Sequence, residues 1–126
     1  MNTEKNSLIG ILGLSNHPQR YSYLAYKSFL EKGYNNLVGI NPRPFDLENI
    51  QHFKNLRDLE GKIQTLTIYL RPEISNNMIS DIIAVAPKRI ILNPGAENTE
   101  LETSAQEQRI EVLHACTLVM LSTGQF

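Results

Sequence analysis

The stretch SLIGILGLSNHPQRYS, residues 7–22, passes from an apolar run into a loop of small and polar residues. Residues 8–12 are short and almost continuously apolar, which is typical of a strand that is covered on both faces. The loop after this strand begins with Gly13 and includes Arg20 before a helical pattern starts. A loop that joins a buried strand to a helix places free backbone N–H groups at the helix start, and this arrangement favours phosphate.

Composition limits the class of protein. The 126 residues, 41% of them hydrophobic, suit a single compact domain over residues 1–126. The net charge of −1 gives no basic field for nucleic acid, and the first apolar run is too short to span a bilayer and lacks an export signature. One cysteine, Cys116, excludes an internal disulfide and a cysteine-based zinc site, and the three histidines lack metal-ligand spacing. We therefore expect a cytoplasmic protein with no metal and no nucleic-acid or membrane partner.

Helical patterns alternate with further strand patterns along the chain. Residues 22–32 form an apolar stripe that Ser22 can cap and Gly33 can end. A second helix is predicted from residue 74 until Pro87 ends it, and a polar helix over residues 100–108. The predicted strands are residues 8–12, 36–40, 64–70, 89–92 and 110–113.

This alternation predicts an α/β fold, a doubly wound parallel five-stranded sheet in three layers, α/β/α, within a single domain. The expected strand order is 3-2-1-4-5, numbered along the chain. Residues 43–63 give no firm pattern and have room for one short helix. In such a sheet the ligand lies outside the carboxyl ends of the strands, where the strand order reverses.

The residues at those strand ends are small, polar or cationic. Gly13 lets the backbone approach a ligand closely, Ser15 and Ser22 can donate hydroxyl hydrogen bonds, and Arg20 supplies a forked cation. These properties predict a diphosphate site. Arg20 could instead be a solvated loop charge, and we favour ligand contact.

The end of the second strand narrows the choice of diphosphate. Gly10-x-x-Gly13 is not the dinucleotide fingerprint, and Asn41-Pro42-Arg43 stands where enzymes that use NAD commonly place an acidic residue. An arginine there suits a phosphorylated ribose, as in NADP or coenzyme A (CoA). The competing interpretation is that Arg43 is merely an exposed loop residue that contacts no ligand.

Six short motifs occur in order along the chain, most of them at strand ends. They are Gly13-Leu14-Ser15, Pro18-x-Arg20-x-Ser22-Tyr23, Gly33-Tyr34, Asn41-Pro42, Arg71-Pro72-Glu73 and Asn93-Pro94-Gly95-Ala96-Glu97-Asn98. With these motifs the sequence resembles the small, stand-alone CoA-binding proteins, whose fold is similar to the CoA-binding domain of succinyl-CoA synthetase alpha subunits. The resemblance covers nearly the whole chain except residues 44–63.

The resemblance implies a Rossmann-like domain with CoA or an acyl-CoA lying across the strand ends. The diphosphate would face Gly13, Leu14, Ser15, Asn16, Arg20 and Ser22. The adenosine end would lie at Asn41, Pro42 and Arg43. The further course of the ligand would be lined by Leu70, Arg71, Asn93, Pro94 and Gly95. For the last segment, plain turn chemistry and a helix-capping role for Asn98 are the alternatives.

No set of residues for catalysis stands out, so we expect a non-catalytic module that binds, senses or regulates. The alternatives are an NADP-binding, oxidoreductase-like domain and a small thiol-dependent enzyme that uses Cys116. Tyr21, Tyr23 and Tyr26 are interpreted as packing or helix-surface residues. The apolar run TLVML, residues 117–121, is either a last core element or the contact of a homodimer.

Overall fold

Six parallel strands form one sheet in the computed structural model, which describes residues 3–126. The strands are β1 Ile9–Leu12, β2 Leu37–Ile40, β3 Gln51–Phe53, β4 Thr65–Ile68, β5 Arg89–Leu92 and β6 Glu111–His114. Their order across the sheet is β3-β2-β1-β4-β5-β6, and every neighbouring pair is parallel. The strand order therefore reverses beside β1, between β2 and β4.

The helices are α1 Tyr21–Glu31, α2 Pro72–Ser75, α3 Ile79–Val85, α4 Thr99–Glu107 and α5 Thr117–Ser122. Single turns of 3₁₀ helix occur at Leu56–Leu59 and Asn76–Met78. Within residues 3–126, no helix is both long and apolar enough to cross a lipid bilayer.

Two apolar cores, one on each face of the sheet, give the fold its three layers. On one face, α3 and α4 pack over the sheet through residues such as Ile82 and Leu101. On the other face, α1 and α5 contribute Phe29 and Leu121. The strands β1, β2, β4 and β5 are buried along their whole length, as expected of parallel strands covered on both sides.

The prediction of five strands is wrong, because residues 43–63 contain a sixth. β3 has only three residues, partly or fully exposed, so the sequence lacks the apolar pattern on which strand prediction depends. β3 pairs with β2 and forms the edge of the sheet there. The expected order 3-2-1-4-5 is also wrong at one position. It would place the strand predicted at 64–70 beside β2, whereas β4, which forms within that segment, pairs with β1.

The helices also differ in detail from the prediction. α1 begins one residue early, with Arg20 at its N-cap, and Ser22 does not cap it. The helix expected from residue 74 is divided into α2, a 3₁₀ turn and α3, and it ends at Ala86 in a left-handed conformation just before Pro87. The C-terminal apolar run forms α5, which packs against α1 and buries Leu121, so this run is a core element.

Candidate functional site

Gly13 sets the course of the loop after β1. Its φ of +88° lies in the left-handed region that favours glycine. A Cβ atom at this position would lie 2.8 Å from Cδ2 of Leu70, so a side chain would force the Leu70 side chain to move. The Gly13 N–H donates to the carbonyl of Ile40 at 3.0 Å. The loop backbone is therefore held against the ends of both neighbouring strands.

Hydrogen bonds within the loop hold it in one shape. The Ser15 N–H donates to Oγ of Ser22 at 3.0 Å, and the His17 N–H donates to Oγ of Ser15 at 3.0 Å. The Arg20 N–H donates to the carbonyl of His17 at 3.0 Å. Both serine hydroxyls accept in these bonds, so each keeps its own O–H to donate elsewhere. Ser22 lies inside α1, beyond its N-cap Arg20, and organises the loop from there.

The start of α1 is open to an anion. No side chain caps it, and its first turn contains no acidic residue, so the backbone N–H groups there have no side-chain acceptor. The Arg20 side chain is exposed and forms no hydrogen bond or ion pair with the residues from 3 to 126. The positive end of the helix dipole and an unpaired guanidinium therefore lie side by side.

Two adjoining cavities lie at the carboxyl end of the sheet. The first, here called the loop cavity, has a volume of about 330 Å³ and is lined by Gly13, Ser15, Arg20, Tyr21, Ser22, Tyr69 and Pro94. The second, here called the apolar cavity, has a volume of about 200 Å³ and is lined by Tyr21, Tyr69, Asn93, Pro94, Cys116 and Leu118. They share three wall residues, Tyr21, Tyr69 and Pro94, so one elongated ligand can occupy both.

Three cavity residues were not predicted from the sequence: Tyr21, which was interpreted as a packing or helix-surface residue, Leu118 and Tyr69. A strand that ran to residue 70 would place Tyr69 in its interior, whereas β4 ends at Ile68 and Tyr69 lies at the strand end. Its hydroxyl oxygen is buried and has no hydrogen-bond partner among residues 3–126. The hydroxyls of Thr67 and Thr117 lie nearby but pair with each other at 2.8 Å. Burial raises the pKa of Tyr69 to about 12, so the phenol stays neutral at physiological pH.

Asn41 connects the ends of β1 and β2. Its side-chain Nδ2 donates to the carbonyl of Leu14 at 2.7 Å, and its Oδ1 accepts from the Arg43 N–H at 2.9 Å. Nε2 of His52, on β3, lies 2.7 Å from the Asn41 carbonyl. The amide of Asn41 is thus used within the protein, where it fixes the loop that carries Arg43.

Asn93 has the same kind of role at the end of β5. It is buried, and its Nδ2 donates to Oγ1 of Thr67 at 2.7 Å and to the carbonyl of Ile68 at 3.0 Å. Its Oδ1 accepts from the Thr117 N–H at 2.9 Å. This one side chain joins β4, β5 and the start of α5, and so shapes the wall of the apolar cavity.

The remaining predicted site residues follow the carboxyl ends of the strands but lie in the wall of neither cavity. Arg43 and Arg71 are exposed, and Arg71 is 3.8 Å from a carboxylate oxygen of Glu73, whereas Arg43 has no such partner among residues 3–126. Leu14 is fully buried, so any ligand contact it makes must come from its backbone. Of the other four, Leu70 packs under Gly13, Asn16 and Pro42 are exposed, and the Gly95 N–H donates to Oε1 of Glu97 at 2.9 Å.

Asn98 agrees with the alternative interpretation. It is the N-cap of α4, and its Oδ1 accepts from the Leu101 N–H at 3.0 Å. The Asn98 Nδ2 donates to Oγ of Ser75 at 2.7 Å, which ties α4 to α2. Asn98 is therefore a helix cap.

Wider depressions lie at the opposite end of the sheet, where the strands begin. One, of about 580 Å³, is lined by residues at the starts of β2 and β3, including Leu37 and Gln51. Another, of about 540 Å³, includes Gln64 just before β4, with Arg89 and Glu111 at the starts of β5 and β6. Both lie at the amino ends of the strands, whereas ligands of open parallel sheets bind at the carboxyl ends. Size alone therefore does not identify the site.

Comparison with known proteins identifies the family of this chain. A family model for the CoA binding domain matches residues 7–122, which include both cavities. The chain belongs to the CoA-binding domain family. A relative in Bacillus subtilis, the uncharacterized protein YneT, is 20% identical over 117 residues, which are 92% of this chain and 86% of that protein.

Solved structures share the fold. The crystal structure of an uncharacterized protein superposes with a TM-score of 0.87 at 32% identity, over 96% of this chain and 98% of that chain. A dinucleotide-forming acetyl-coenzyme A synthetase of Ca. Korarchaeum cryptofilum, in complex with phosphate and ADP, superposes with a TM-score of 0.74 at 20% identity. That match covers 86% of this chain and 25% of the synthetase, so this fold also occurs as one part of a larger enzyme.

Proposed function

We propose that this protein binds CoA or an acyl-CoA across the carboxyl ends of β1, β2, β4 and β5, as a non-catalytic module. The observation that carries the proposal is the loop cavity, where the uncapped start of α1, two serine hydroxyls and the unpaired Arg20 converge. Membership of the CoA-binding domain family supports CoA as the ligand whose diphosphate binds there.

The strand order supports a Rossmann-like assignment. In doubly wound sheets of the order 3-2-1-4-5-6, the pyrophosphate binds at the helix that comes after the first strand. That helix here is α1, and the switch in strand order lies beside β1. The diphosphate would accept hydrogen bonds from backbone N–H groups at the start of α1, with Ser15, Ser22 and Arg20 around it.

Two features of the chain fit a ligand of this kind. Gly13 lies in the wall of the loop cavity, and its left-handed φ fits the turn that begins the loop. Tyr69 forms part of the walls of both cavities, so a ligand that spans them packs against this side chain. CoA, when bound, contributes a thiol that carries acyl groups as thioesters.

Arg43 is the residue proposed to bind the phosphorylated ribose. It comes after β2, where the adenosine ribose lies in folds of this class, and the bonds made by Asn41 fix its backbone. The side chain is exposed and has no anionic partner among the described residues, so it is free to pair with a phosphate.

The non-catalytic part of the proposal depends on which residues line the cavities. Among the described residues, neither cavity has an aspartate, a glutamate or a histidine in its wall, so no general base is in place beside Cys116. The nearby His114 lies 2.9 Å from a carboxylate oxygen of Glu102 and lines neither cavity.

NADP is the second candidate ligand, because it too has a phosphorylated ribose that Arg43 could bind. Thermal-shift titration with CoA, acetyl-CoA, NAD, NADP and ATP, after native mass spectrometry of the purified protein, separates the two. A ligand at a hundred times its Kd adds about 2.7 kcal/mol of stability. We expect this for CoA or acetyl-CoA. Stabilisation by NADP and not by CoA would refute the proposal.

A further inference from the structure

The depression at the amino ends of β4, β5 and β6, here called the amino-end depression, has the chemistry of a second site. Its volume is about 540 Å³, within the range of small-molecule sites. Its described wall includes one cation, two carboxylates and two apolar side chains, which belong to Arg89, Glu4, Glu111, Leu113 and Met120. We infer that the amino-end depression binds the zwitterion of a free amino acid, with the carboxylate of the ligand on Arg89 and its ammonium group on Glu111.

Arg89 is a buried cation whose hydrogen-bonding capacity is only partly used. Its exposed fraction is 8%. Nε donates to Oγ1 of Thr65 at 3.1 Å, and Nη2 donates to Oγ1 of Thr3 at 2.9 Å. A guanidinium has five N–H donors, so three of them have no partner among residues 3–126. In this part of the chain the hydroxyl of Tyr69 is the single unpaired side-chain polar atom that is sealed from solvent, so the free N–H groups of Arg89 open into the amino-end depression.

The charge of Arg89 also lacks a partner. Arg89 forms no ion pair with the residues from 3 to 126, although Glu111 is its register partner on β6. The guanidinium instead lies over the ring of Phe126, 4.6 Å from the ring centroid. Burial lowers the pKa of Arg89, and the attraction of Glu111 opposes this shift. A buried cation is costly unless it is paired, so a carboxylate supplied by a ligand would stabilise it.

The two carboxylates in the wall decide which kind of acid Arg89 can receive. Glu4 and Glu111 are exposed, and neither forms an ion pair with a described residue. A simple anion such as phosphate would be repelled by both. A ligand that has an ammonium group beside its carboxylate turns this repulsion into attraction.

An α-amino acid has the two charged groups at a suitable spacing. Arginine binds a carboxylate through two parallel hydrogen bonds, and an ammonium group offers three donors to the carboxylate of Glu111. Arg89 and Glu111 stand opposite each other on strands that lie about 4.8 Å apart, so the two side chains can reach neighbouring groups of one small molecule.

The apolar part of the wall predicts the side chain of the ligand. Leu113 and Met120 are half-buried and line the same depression as the charged groups. An aliphatic side chain that covers them removes apolar surface from water. We therefore expect leucine to bind more tightly than glycine.

NMR titration of the ¹⁵N-labelled protein with L-leucine tests the inference. One exposed and one buried ion pair correspond to a Kd on the order of 1 mM, so titration to about 10 mM approaches saturation. The backbone amide signals of Gln64, Arg89 and Glu111 should move with a single Kd, and those of Gly13 and Ser15 should stay in place. The absence of any saturable change, or a change confined to the carboxyl end of the sheet, would overturn the inference.

Two analogues of leucine separate its charged groups. L-leucinamide lacks the carboxylate and should bind about tenfold more weakly or not at all, because it leaves Arg89 unpaired. The anion 4-methylpentanoate lacks the ammonium group and should bind at least about fivefold more weakly, because it meets the carboxylates alone. Equal binding of 4-methylpentanoate and leucine would show a site for simple acids and contradict the zwitterion.

Variants provide the second arm. Arg89→Gln should weaken leucine binding by about tenfold or more, and Glu111→Gln by about threefold to fivefold, because Glu111 is exposed. Glu100→Gln removes an exposed carboxylate at the start of α4, at the other end of the sheet, and should leave binding unchanged. Full affinity in Glu111→Gln would refute the role of Glu111, even if Arg89→Gln does not fold. The inference is independent of the proposed function, since nucleotide binding is measured at the carboxyl end of the sheet.

Discussion

Arg20 occupies the N-cap of α1 with an exposed guanidinium that no described acidic residue neutralises. If it pairs with the diphosphate, Arg20→Ala should weaken CoA binding by about ten- to a hundredfold, the range of a charge-assisted hydrogen bond. Lys27→Ala removes an exposed cation from the same helix and should leave binding unchanged. Isothermal titration measures both. Equal affinity in Arg20→Ala and the parent protein would exclude Arg20 from the site.

Arg43 tests the adenosine end of the ligand. CoA and dephospho-CoA differ by the 3′-phosphate, so a pairing with Arg43 predicts that the parent protein prefers CoA and that Arg43→Ala loses most of this preference. The contact is exposed, so the preference should be about fivefold and should shrink as salt is raised. Titrating both ligands into both proteins isolates the pairwise term. A variant with the full preference would show that another residue binds the phosphate.

Tyr69 makes a prediction about stability at high pH. Its pKa in the folded protein, about 12, exceeds the ordinary value of 10.0 because burial disfavours the phenolate. The neutral Tyr69 phenol therefore makes a contribution to the free energy of unfolding that is complete below pH 10. This contribution, about 2–3 kcal/mol in total, is lost as the pH rises from 10 to 12. Urea denaturation of Tyr69→Phe should lack this part of the decline.

Tyr21→Phe is the control, because Tyr21 is 71% exposed. The free energy of unfolding of Tyr21→Phe should decline with rising pH as much as that of the parent protein. Burial also raises the pKa of Tyr26, and comparison of variants that both retain Tyr26 removes its share. Parallel curves for Tyr69→Phe and the parent protein would contradict the buried environment of this phenol.

At the scale of elements, the site depends on how β5 is joined to α5. Asn93→Ala removes three buried hydrogen bonds and leaves the Thr117 N–H without its acceptor. The free energy of unfolding should fall by about 2–4 kcal/mol. Asn76→Ala, at an exposed position, should stay within about 0.5 kcal/mol of the parent protein. Urea denaturation compares them, and a small effect of Asn93→Ala would mean that α5 is held by its apolar contacts.

Most of the elements that were predicted correctly have a strong apolar pattern, although the polar helix α4 and the edge strand β6 were also predicted. The four central strands are recognisable because both of their faces are apolar, and α1 is recognisable because it has one apolar stripe. β3 was missed because it is an exposed edge strand of three residues, held by its pairing with β2. The division of the second helix into α2, a turn and α3 was also not predicted, because the apolar spacing continues across the break.

The candidate site shows the same limit. Loop residues such as Gly13 and Arg20 could be found because they come after a recognisable strand. The sequence does not show that the amides of Asn41 and Asn93 are engaged within the protein, since their partners lie on other segments of the chain. Tyr69 was missed because its role depends on the residue at which β4 ends.

At the scale of the whole molecule, the loop cavity, the apolar cavity and Arg43 lie at the carboxyl end of the sheet. Six parallel strands bring them together, and together they suit a phosphorylated nucleotide with an apolar arm. With a net charge of −1, affinity for such a ligand must come from this local arrangement, because the molecule has no general attraction for anions.

Calorimetric titration of the parent protein with CoA and with NADP, side by side at the same salt concentration, tests this arrangement most directly. The two ligands share a diphosphate and a phosphorylated ribose and differ in the group attached to the far side of the diphosphate. We expect CoA to bind one site per chain, at least about tenfold more tightly than NADP, because only CoA places hydrocarbon in the apolar cavity. Tighter binding of NADP, or no binding of CoA, would contradict the account.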